Sequence, residues 1–289
     1  MVEVTKDILK NIYKERPKDS KKYDFGLLIV IGGSDFYSGS PALSAMAAFR
    51  AGVDMVRIIA PKRAADIIAS FSPNLAAYPL EGKWLNKTHL ATLLAMTESA
   101  KAVAGGNTAV VIGGGAGRSE ETQEAILEFI SKVSVPVVID ADAIYAVAKN
   151  LDVIADKPFL ITPHTYEFFV LTGKEIYKLP DEEKIKIVQA EAARLKTTIV
   201  LKGKLDIISN GTELAVDRAG SPYMTVGGCG DTLAGIAGAL LARKINVFEA
   251  GCVATYINGA AGEKAAKKFG DSMMATDLID EIPNILLKI

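Results

Sequence analysis

Short apolar runs alternate along the chain with longer stretches in which apolar residues recur every three or four positions. The runs are nearly continuous, which is typical of parallel strands covered on both faces. The predicted strands are Leu27–Ile31, Met55–Ala60, Ala109–Ile112, Val135–Ile139, Phe159–Ile161 and Thr198–Leu201. The predicted helices are Pro41–Ala51, Lys62–Ser70, Thr88–Val103, Ser119–Lys132, Ala143–Lys149 and Asp181–Lys196. This alternation predicts an α/β fold with a mostly parallel central sheet.

The pattern changes after residue 201. Asp206–Ser209 and Glu213–Val216 flank Asn210 and Gly211, a pair that strongly favours a hairpin. We therefore expect an antiparallel hairpin at one edge of the sheet. Helices are predicted over Gly230–Arg243, Val247–Phe269 and Ala275–Leu287. Since no linker or internal repeat interrupts the chain, we expect a single domain over residues 1–289.

Composition narrows the class of function. The chain has 289 residues, 49% of them hydrophobic, and a net charge of −1, which argues against disorder and against nucleic-acid binding. Two cysteines and two histidines cannot build a disulfide framework or a zinc cluster. No segment reads as a signal peptide or as the roughly 20 apolar residues of a membrane span. We expect a cytoplasmic protein without a membrane partner.

Glycine-rich loops follow the predicted strands, at the sheet edge where ligands bind in open α/β folds. Gly32–Ser34 ends the first strand, and Gly39–Pro41 opens a helix with free N–H groups. Gly113–Gly117 fits a dinucleotide fingerprint loosely, because Asp140, the next strand-ending acid, lies beyond the usual spacing. A phosphate-contacting loop and a plain tight turn both remain open for these segments.

Three acidic residues and one histidine follow the next strands. Asp140 and Asp142 either bind a metal or substrate, or one of them caps the following helix. His164 and Glu167 are three residues apart, so they approach one site if a helix begins there. Glu167 either holds Mg²⁺ through water or serves as an acid at a helix start.

The segment Gly227–Gly235 carries the sharpest signal. Its glycines precede a helix and predict a nest of N–H groups that binds an anion. Asp231 would lie beside a phosphoryl group bound there, where a carboxylate can act as general base toward an attacking hydroxyl. A glycine turn with an aspartate cap is the alternative.

Taken together, these segments resemble the ribokinase-like superfamily and, within it, the ADP/ATP-dependent NAD(P)H-hydrate dehydratase family. The resemblance runs from about residue 20 to 245 and implies a three-layer α/β/α fold. The segments that carry it are 31–34 with 37–43, Arg50–Val53, Ile112–Gly117, Ile139–Ala143, Thr162–His164 with Glu167 and Phe168, Leu201–Gly203 and Gly228–Gly235.

The resemblance implies a lyase of metabolite repair. Such enzymes phosphorylate the hydroxyl of the 6S hydrate of NADH or NADPH, and loss of phosphate restores the cofactor. Bacterial and archaeal members are expected to use ADP, which gives AMP and phosphate. Family habit implies a homo-oligomer, a tetramer. The epimerase domain often fused at the N-terminus has no room in this sequence, so we expect a separate epimerase.

The resemblance also implies residue roles. Asp231 would be the base, with phosphoryl-binding N–H groups from Gly228, Cys229 and Gly230. The hydrate would contact Ser40, Gly115, Gly117, His164 and Asp231. The adenine nucleotide would bind along Lys202, Gly203, Lys204, Leu205 and Asp206, and at Gly230. Glu167 would lie near Mg²⁺.

The sequence departs from the family pattern at Ser40, Thr165, Tyr166, Asp206 and Cys229, where alanine, proline, glycine, threonine and threonine are usual. Two alternatives stay open. One is a small-molecule kinase of the same superfamily, acting on a vitamin precursor or sugar alcohol. The other is a regulator that binds a nucleotide without turnover.

Overall fold

A mixed ten-stranded sheet forms the centre of the protein. The computed structural model describes residues 1–287. The strands are β1 (Val2–Glu3), β2 (Leu27–Ile31), β3 (Met55–Pro61), β4 (Ala76–Leu80), β5 (Thr108–Ile112), β6 (Val137–Ile139), β7 (Phe159–Ile161), β8 (Thr198–Leu201), β9 (Asp206–Ser209) and β10 (Leu214–Asp217). Their order across the sheet is β1-β10-β9-β8-β7-β6-β5-β2-β3-β4. Strands β2 to β8 pair in parallel, as the near-continuous apolar runs predict.

Helices cover both faces of this sheet. They are α1 (Ile8–Ile12), α2 (Gly39–Arg50), α3 (Lys62–Phe71), α4 (Leu90–Val103), α5 (Glu120–Lys132), α6 (Asp142–Val147), α7 (Thr165–Thr172), α8 (Asp181–Leu195), α9 (Cys229–Ala242), α10 (Val247–Phe269) and α11 (Ala275–Leu286). Helices α1 to α3 and α9 to α11 share one hydrophobic core, and α4 to α8 share the other. Successive residues of one strand point into opposite cores, for example Ile29 and Val30 of β2. The predicted three-layer α/β/α fold is confirmed.

The predicted antiparallel hairpin at one edge of the sheet is confirmed as β9–β10, and a two-residue strand that was not predicted, β1, extends the sheet beyond it. Strand β1 pairs in parallel with β10 and takes the edge itself, through Val2 opposite Ala215 and Glu3 opposite Val216. A strand of two exposed residues leaves no periodic pattern in the sequence, which is why it was missed. Strand β4 at the other edge was missed because Pro79 interrupts it, and proline is tolerated on edge strands.

The parallel strands bring the functional loops to one edge of the sheet. The loops after β2, β5, β6, β7 and β8 all leave at the carboxyl ends of neighbouring strands. Ser119 caps α5, because its hydroxyl accepts a hydrogen bond of 3.2 Å from the amide of Thr122. Within residues 1–287 we find no helix with the length and apolar character that crossing a membrane requires. A single domain over residues 1–289 stays a prediction.

Candidate active site

The glycine-rich turn before α9 has the shape of an anion-binding site. Gly228 has a φ of +103°, and a Cβ there would lie 2.7 Å from Leu43 Cδ1, so only glycine fits without strain. The first N–H groups of a helix have no intrahelical partner, and the helix dipole places positive charge at the same end. The N–H groups of Cys229, Gly230 and Asp231 belong to this first turn. The turn can therefore bind a phosphoryl group.

Asp231 lies in that first turn and is held in place by two serines of α2. The Ser40 hydroxyl donates a hydrogen bond to Asp231 Oδ1. The Ser44 hydroxyl donates to the main-chain carbonyl of Asp231, at 2.9 Å. Burial, reinforced by the nearby Asp140 carboxylate, raises the pKa of Asp231 to about 6, against the opposing effect of Ser40. At neutral pH Asp231 is an ionised carboxylate of unusual basicity, which suits a general base.

Lys202, at the end of β8, brings a positive charge next to the turn. Its Nζ donates a hydrogen bond of 2.8 Å to Asp140 Oδ1 and lies 3.8 Å from Glu167 Oε2. A Cβ on Gly230 would lie 3.4 Å from this Nζ, so the ammonium group faces the turn. Burial lowers the pKa of Lys202, but the Asp140 and Glu167 carboxylates outweigh that effect, and the net direction is upward. The lysine stays charged beside the phosphoryl site.

Asp140 and Asp142 act as cross-links, so the expectation that one of them caps α6 is wrong. Asp140 Oδ1 accepts a second hydrogen bond, of 2.7 Å, from the Thr162 hydroxyl. Asp142 Oδ2 accepts from the amide of Gly117 at 2.8 Å, and its Oδ1 accepts from Arg118 Nε at 2.7 Å. Each aspartate therefore ties its strand end to a neighbouring loop.

His164 and Glu167 form a capping box at the start of α7. His164 Nδ1 accepts hydrogen bonds from the amides of Tyr166 and Glu167, at 3.1 and 3.2 Å, and Glu167 Oε2 accepts from the His164 amide at 2.8 Å. The alternative role of Glu167 as a helix-start acid is thus observed. Sequence reasoning did not predict the cap, since histidine is an uncommon capping residue. His164 Nε2 lies 3.4 Å from Glu167 Oε1 on a half-exposed ring.

A cavity of about 390 Å³ opens between the loops that follow β2 and β5. Its lining includes three aromatic side chains, Phe36, Tyr37 and Trp84. Gly115, Gly117 and Arg118 also line it. Gly115 lies between the cavity and Ser40, since a Cβ there would lie 2.8 Å from Tyr37 Cδ1 and 3.5 Å from Ser40 Cβ. Sequence reasoning missed the three aromatic residues, because nothing in their spacing shows that they converge.

The loop from Lys202 to Asp206 connects β8 to β9 at the same sheet edge. Asp206 Oδ1 accepts a hydrogen bond of 2.8 Å from the Gly203 amide, and burial raises the pKa of Asp206 to about 7. Lys204 is exposed, whereas the Leu205 side chain packs in the core. Any contact between Leu205 and a nucleotide would therefore use its main chain.

The structure thus brings Ser40, Gly230, Asp231 and Lys202 into direct proximity. A family model described as NAD(P)H-hydrate dehydratase matches residues 28–284, which is most of the chain. The chain belongs to the NAD(P)H-hydrate dehydratase family. This membership agrees with the resemblance found in the sequence.

Relatives within the family are similar over nearly the whole chain. The bifunctional NAD(P)H-hydrate repair enzyme Nnr of Pyrobaculum aerophilum is 42% identical over 276 residues, which cover 94% of this chain and 52% of that protein. The chain thus spans about half the length of this relative. The ADP-dependent (S)-NAD(P)H-hydrate dehydratase of Nitrosopumilus maritimus is 34% identical, over 98% of this chain and 96% of that protein.

A solved structure of the same family has the same fold. The ADP/ATP-dependent NAD(P)H-hydrate dehydratase of Bacillus subtilis, co-crystallized with ATP/Mg²⁺, matches with a TM-score of 0.84 and 26% identity. The match covers 99% of this chain and 98% of that one. The predicted ribokinase-like fold is thereby confirmed.

Proposed function

We propose that the protein is a lyase that restores NADH or NADPH from the 6S hydrate in a nucleotide-dependent reaction. One observation carries the proposal. Asp231, a carboxylate with a raised pKa, lies in the first turn of a helix whose first N–H groups have no intrahelical partner, and the Lys202 ammonium faces the same turn. A base and a phosphoryl-binding turn at one place suit the transfer of a phosphoryl group to a hydroxyl.

The first step forms a phosphate ester. Asp231 accepts the proton of the ring hydroxyl while the hydroxyl oxygen attacks the terminal phosphorus of the nucleotide. The bond from that phosphorus to the bridging oxygen breaks, so ADP leaves as AMP. The N–H groups of Gly230 and its neighbours, with Lys202, stabilise the charge on the transferred group.

The second step eliminates phosphate from the ring. The ring C–O bond breaks with its electron pair going to phosphate. The proton on the adjacent ring carbon passes to water, and the electron pair of that C–H bond forms the double bond of the dihydropyridine. Phosphate is a far better leaving group than hydroxide. This difference explains why a dehydration consumes a nucleotide.

The nucleotide would lie along the loop from Lys202 to Asp206, with its terminal phosphate at the turn. In residues 1–287 no three acidic, histidine or cysteine side chains form a metal cage. The site nevertheless fits Mg²⁺ held mainly by phosphates and water. Glu167 Oε2 lies 3.8 Å from Lys202 Nζ, which faces the turn, so this carboxylate lies near the proposed phosphate position and could hold the ion through water. When bound, Mg²⁺ would neutralise phosphate charge.

The hydrate would occupy the aromatic cavity and reach Asp231 past Ser40. Trp84 and Tyr37 offer flat apolar faces on which a nicotinamide or adenine ring can stack. Gly115 and Gly117 would contact the dinucleotide, with His164 beyond them. The position of Gly115, close to both Tyr37 of the cavity and Ser40, supports these roles.

We also infer that the enzyme works in the cytoplasm as a homo-oligomer, alongside a hydrate epimerase. The exposed rings of Tyr166 and Phe169, with centroids 6.2 Å apart, support a subunit contact. The name of the bifunctional Pyrobaculum relative supports the pairing of two repair activities.

Absorbance at the NADH band tests the proposal. Purified protein is mixed with NADH hydrate and Mg²⁺, and ADP, ATP and no nucleotide are compared. We expect absorbance to rise only with a nucleotide, and Asp231→Asn to lower the rate by about 10³-fold or more because it cannot take the proton.

Three results would contradict the proposal. A folded wild-type protein that shows no rise with either nucleotide would exclude the dehydratase. A phosphorylated product that persists would favour the small-molecule kinase. Nucleotide binding without phosphate release would favour the regulator.

A further inference from the structure

Two buried polar side chains hydrogen-bond to the main chain of the glycine-rich turn on its core side. Asn258 of α10 donates a hydrogen bond of 3.2 Å from Nδ2 to the Cys229 carbonyl. Its Oδ1 lies 2.6 Å from the Thr232 hydroxyl, which is also 2.8 Å from the same carbonyl. Asn258 is 6% exposed and Thr232 is fully buried. The Thr232 hydroxyl has a single proton, which it can donate to either acceptor, so the three groups form a compact polar cluster beneath the turn.

The polar cluster of Asn258, Thr232 and the Cys229 carbonyl acts on one side of the Cys229–Gly230 peptide group. In a trans peptide the carbonyl of one residue and the N–H of the next point in opposite directions. Fixing the Cys229 carbonyl on the core side therefore fixes the Gly230 N–H toward the opposite side. Lys202 Nζ approaches the same residue, since a Cβ on Gly230 would lie 3.4 Å from it.

The turn needs such support. Gly227, Gly228 and Gly230 give the segment high backbone freedom. The first turn of a helix also frays easily, because its N–H groups lack partners within the helix. A mobile N–H group would lower kcat, because stabilisation of the transferred charge depends on dipoles that are already in place.

We propose that Asn258 and Thr232 are positioning residues that orient the Gly230 N–H toward the transferred phosphoryl group. Neither side chain touches substrate. Both act through the Cys229–Gly230 peptide. This inference deepens the proposed function and rests on it for the place of the phosphoryl group.

Nucleotide affinity tests the inference without any turnover. Calorimetry compares Mg²⁺ with ADP and Mg²⁺ with AMP, because only ADP carries the phosphoryl group that the turn would hold. We expect wild-type protein to prefer ADP, and Asn258→Leu and Thr232→Val to lower the ADP-to-AMP affinity ratio about tenfold. Thr232→Ser keeps the hydroxyl and is expected to retain the ratio. In the absorbance assay, kcat of Asn258→Leu and Thr232→Val should fall in parallel with the affinity ratio, while KM for the hydrate stays unchanged.

Asn107→Leu is the matched control. Asn107 also donates its amide to main-chain carbonyls, at 3.2 Å, but it precedes β5 at the opposite edge of the sheet. An unchanged ratio in both Asn258→Leu and Thr232→Val would overturn the inference. So would an equal loss in Asn107→Leu, or a wild-type protein that binds ADP and AMP equally. If Asn258→Leu does not fold, the comparison of Thr232→Val with Thr232→Ser decides.

The inference and the proposed function fail in distinguishable ways. Suppose wild-type protein does not dehydrate NADH hydrate, yet Thr232→Val loses the preference for ADP. The dehydratase would then be excluded, and the positioning role would stand for transfer to another acceptor.

Discussion

The two parts of the candidate site differ in how far their side chains are buried and in how firmly hydrogen bonds hold them. Around Asp231 the groups are buried or half-buried and are fixed by hydrogen bonds, from Ser40 to the base and from Lys202 to Asp140. Around the aromatic cavity the side chains are open to solvent, with Phe36 84% and Trp84 41% exposed. The first region resembles a protein interior, and the second resembles a binding surface.

The difference separates chemistry from recognition. Charges that move during phosphoryl transfer need donors and a base that are already in place, and burial provides this. A ring that binds by stacking needs only an apolar face, which an exposed side chain offers. Changes near Asp231 should therefore alter kcat, and changes around the cavity should alter KM.

Replacing Lys202 should give the largest effect within this comparison. Lys202→Met removes the charge beside the phosphoryl group, so we expect kcat to fall by about 10²–10³-fold. It also leaves Asp140 without its ion pair, which should lower the melting temperature. Steady-state kinetics and thermal unfolding measure both. Lys132→Met is the control, because Lys132 pairs with Glu128 at 2.7 Å on the surface and should change neither quantity much. A Lys202→Met enzyme with normal kcat and raised KM would contradict the conclusion that the groups around Asp231 act on the chemical step.

The pH dependence of kcat/KM should report the base. Asp231 acts only when ionised, so with a pKa of about 6 the activity should fall about tenfold per pH unit below that value. Ser40 lowers this pKa, and Ser40→Ala should therefore shift the acid limb upward. The pH–rate profile measures the shift.

Ser44→Ala is the matched control for that profile. Its hydroxyl bonds the Asp231 carbonyl and not the carboxylate. Its acid limb should stay in place. Identical limbs in wild type and Ser40→Ala would mean that another group titrates.

Shortening Trp84 should give the smallest effect. Trp84→Ala removes one stacking face, worth about 1–3 kcal/mol per base, so KM for the hydrate should rise about tenfold while kcat stays within about twofold. Steady-state kinetics on NADH hydrate and NADPH hydrate measure this. Phe71→Ala removes an exposed ring at the end of α3, outside the cavity, and should leave KM unchanged. A fall in kcat alone would show that the aromatic side chains act on the chemistry.

Much of the fold could be read from local patterns. Strands such as β2 and β7 are near-continuous apolar runs, and the predicted bounds of β2, β7 and α10 agree with the structure. The β1 and β4 edge strands could not be read, because two residues or a proline leave no usable period. Helix α7 was not predicted, since its start depends on a histidine cap.

The candidate site divides in the same way. By itself the sequence determined the glycine turn, Asp231 within it, and the loops that face one sheet edge, because turn chemistry and strand periodicity are local properties. The contacts of Ser40 with Asp231, of Lys202 with Asp140 and of Asn258 with the Cys229 carbonyl depend on the packed fold and have no local signature. Those partners are 191, 62 and 29 residues apart in the chain, and they meet because strands of distant sequence lie side by side and helices pack across them. Burial of the carboxylate, which sets the basicity of Asp231, exists only once that packing is complete.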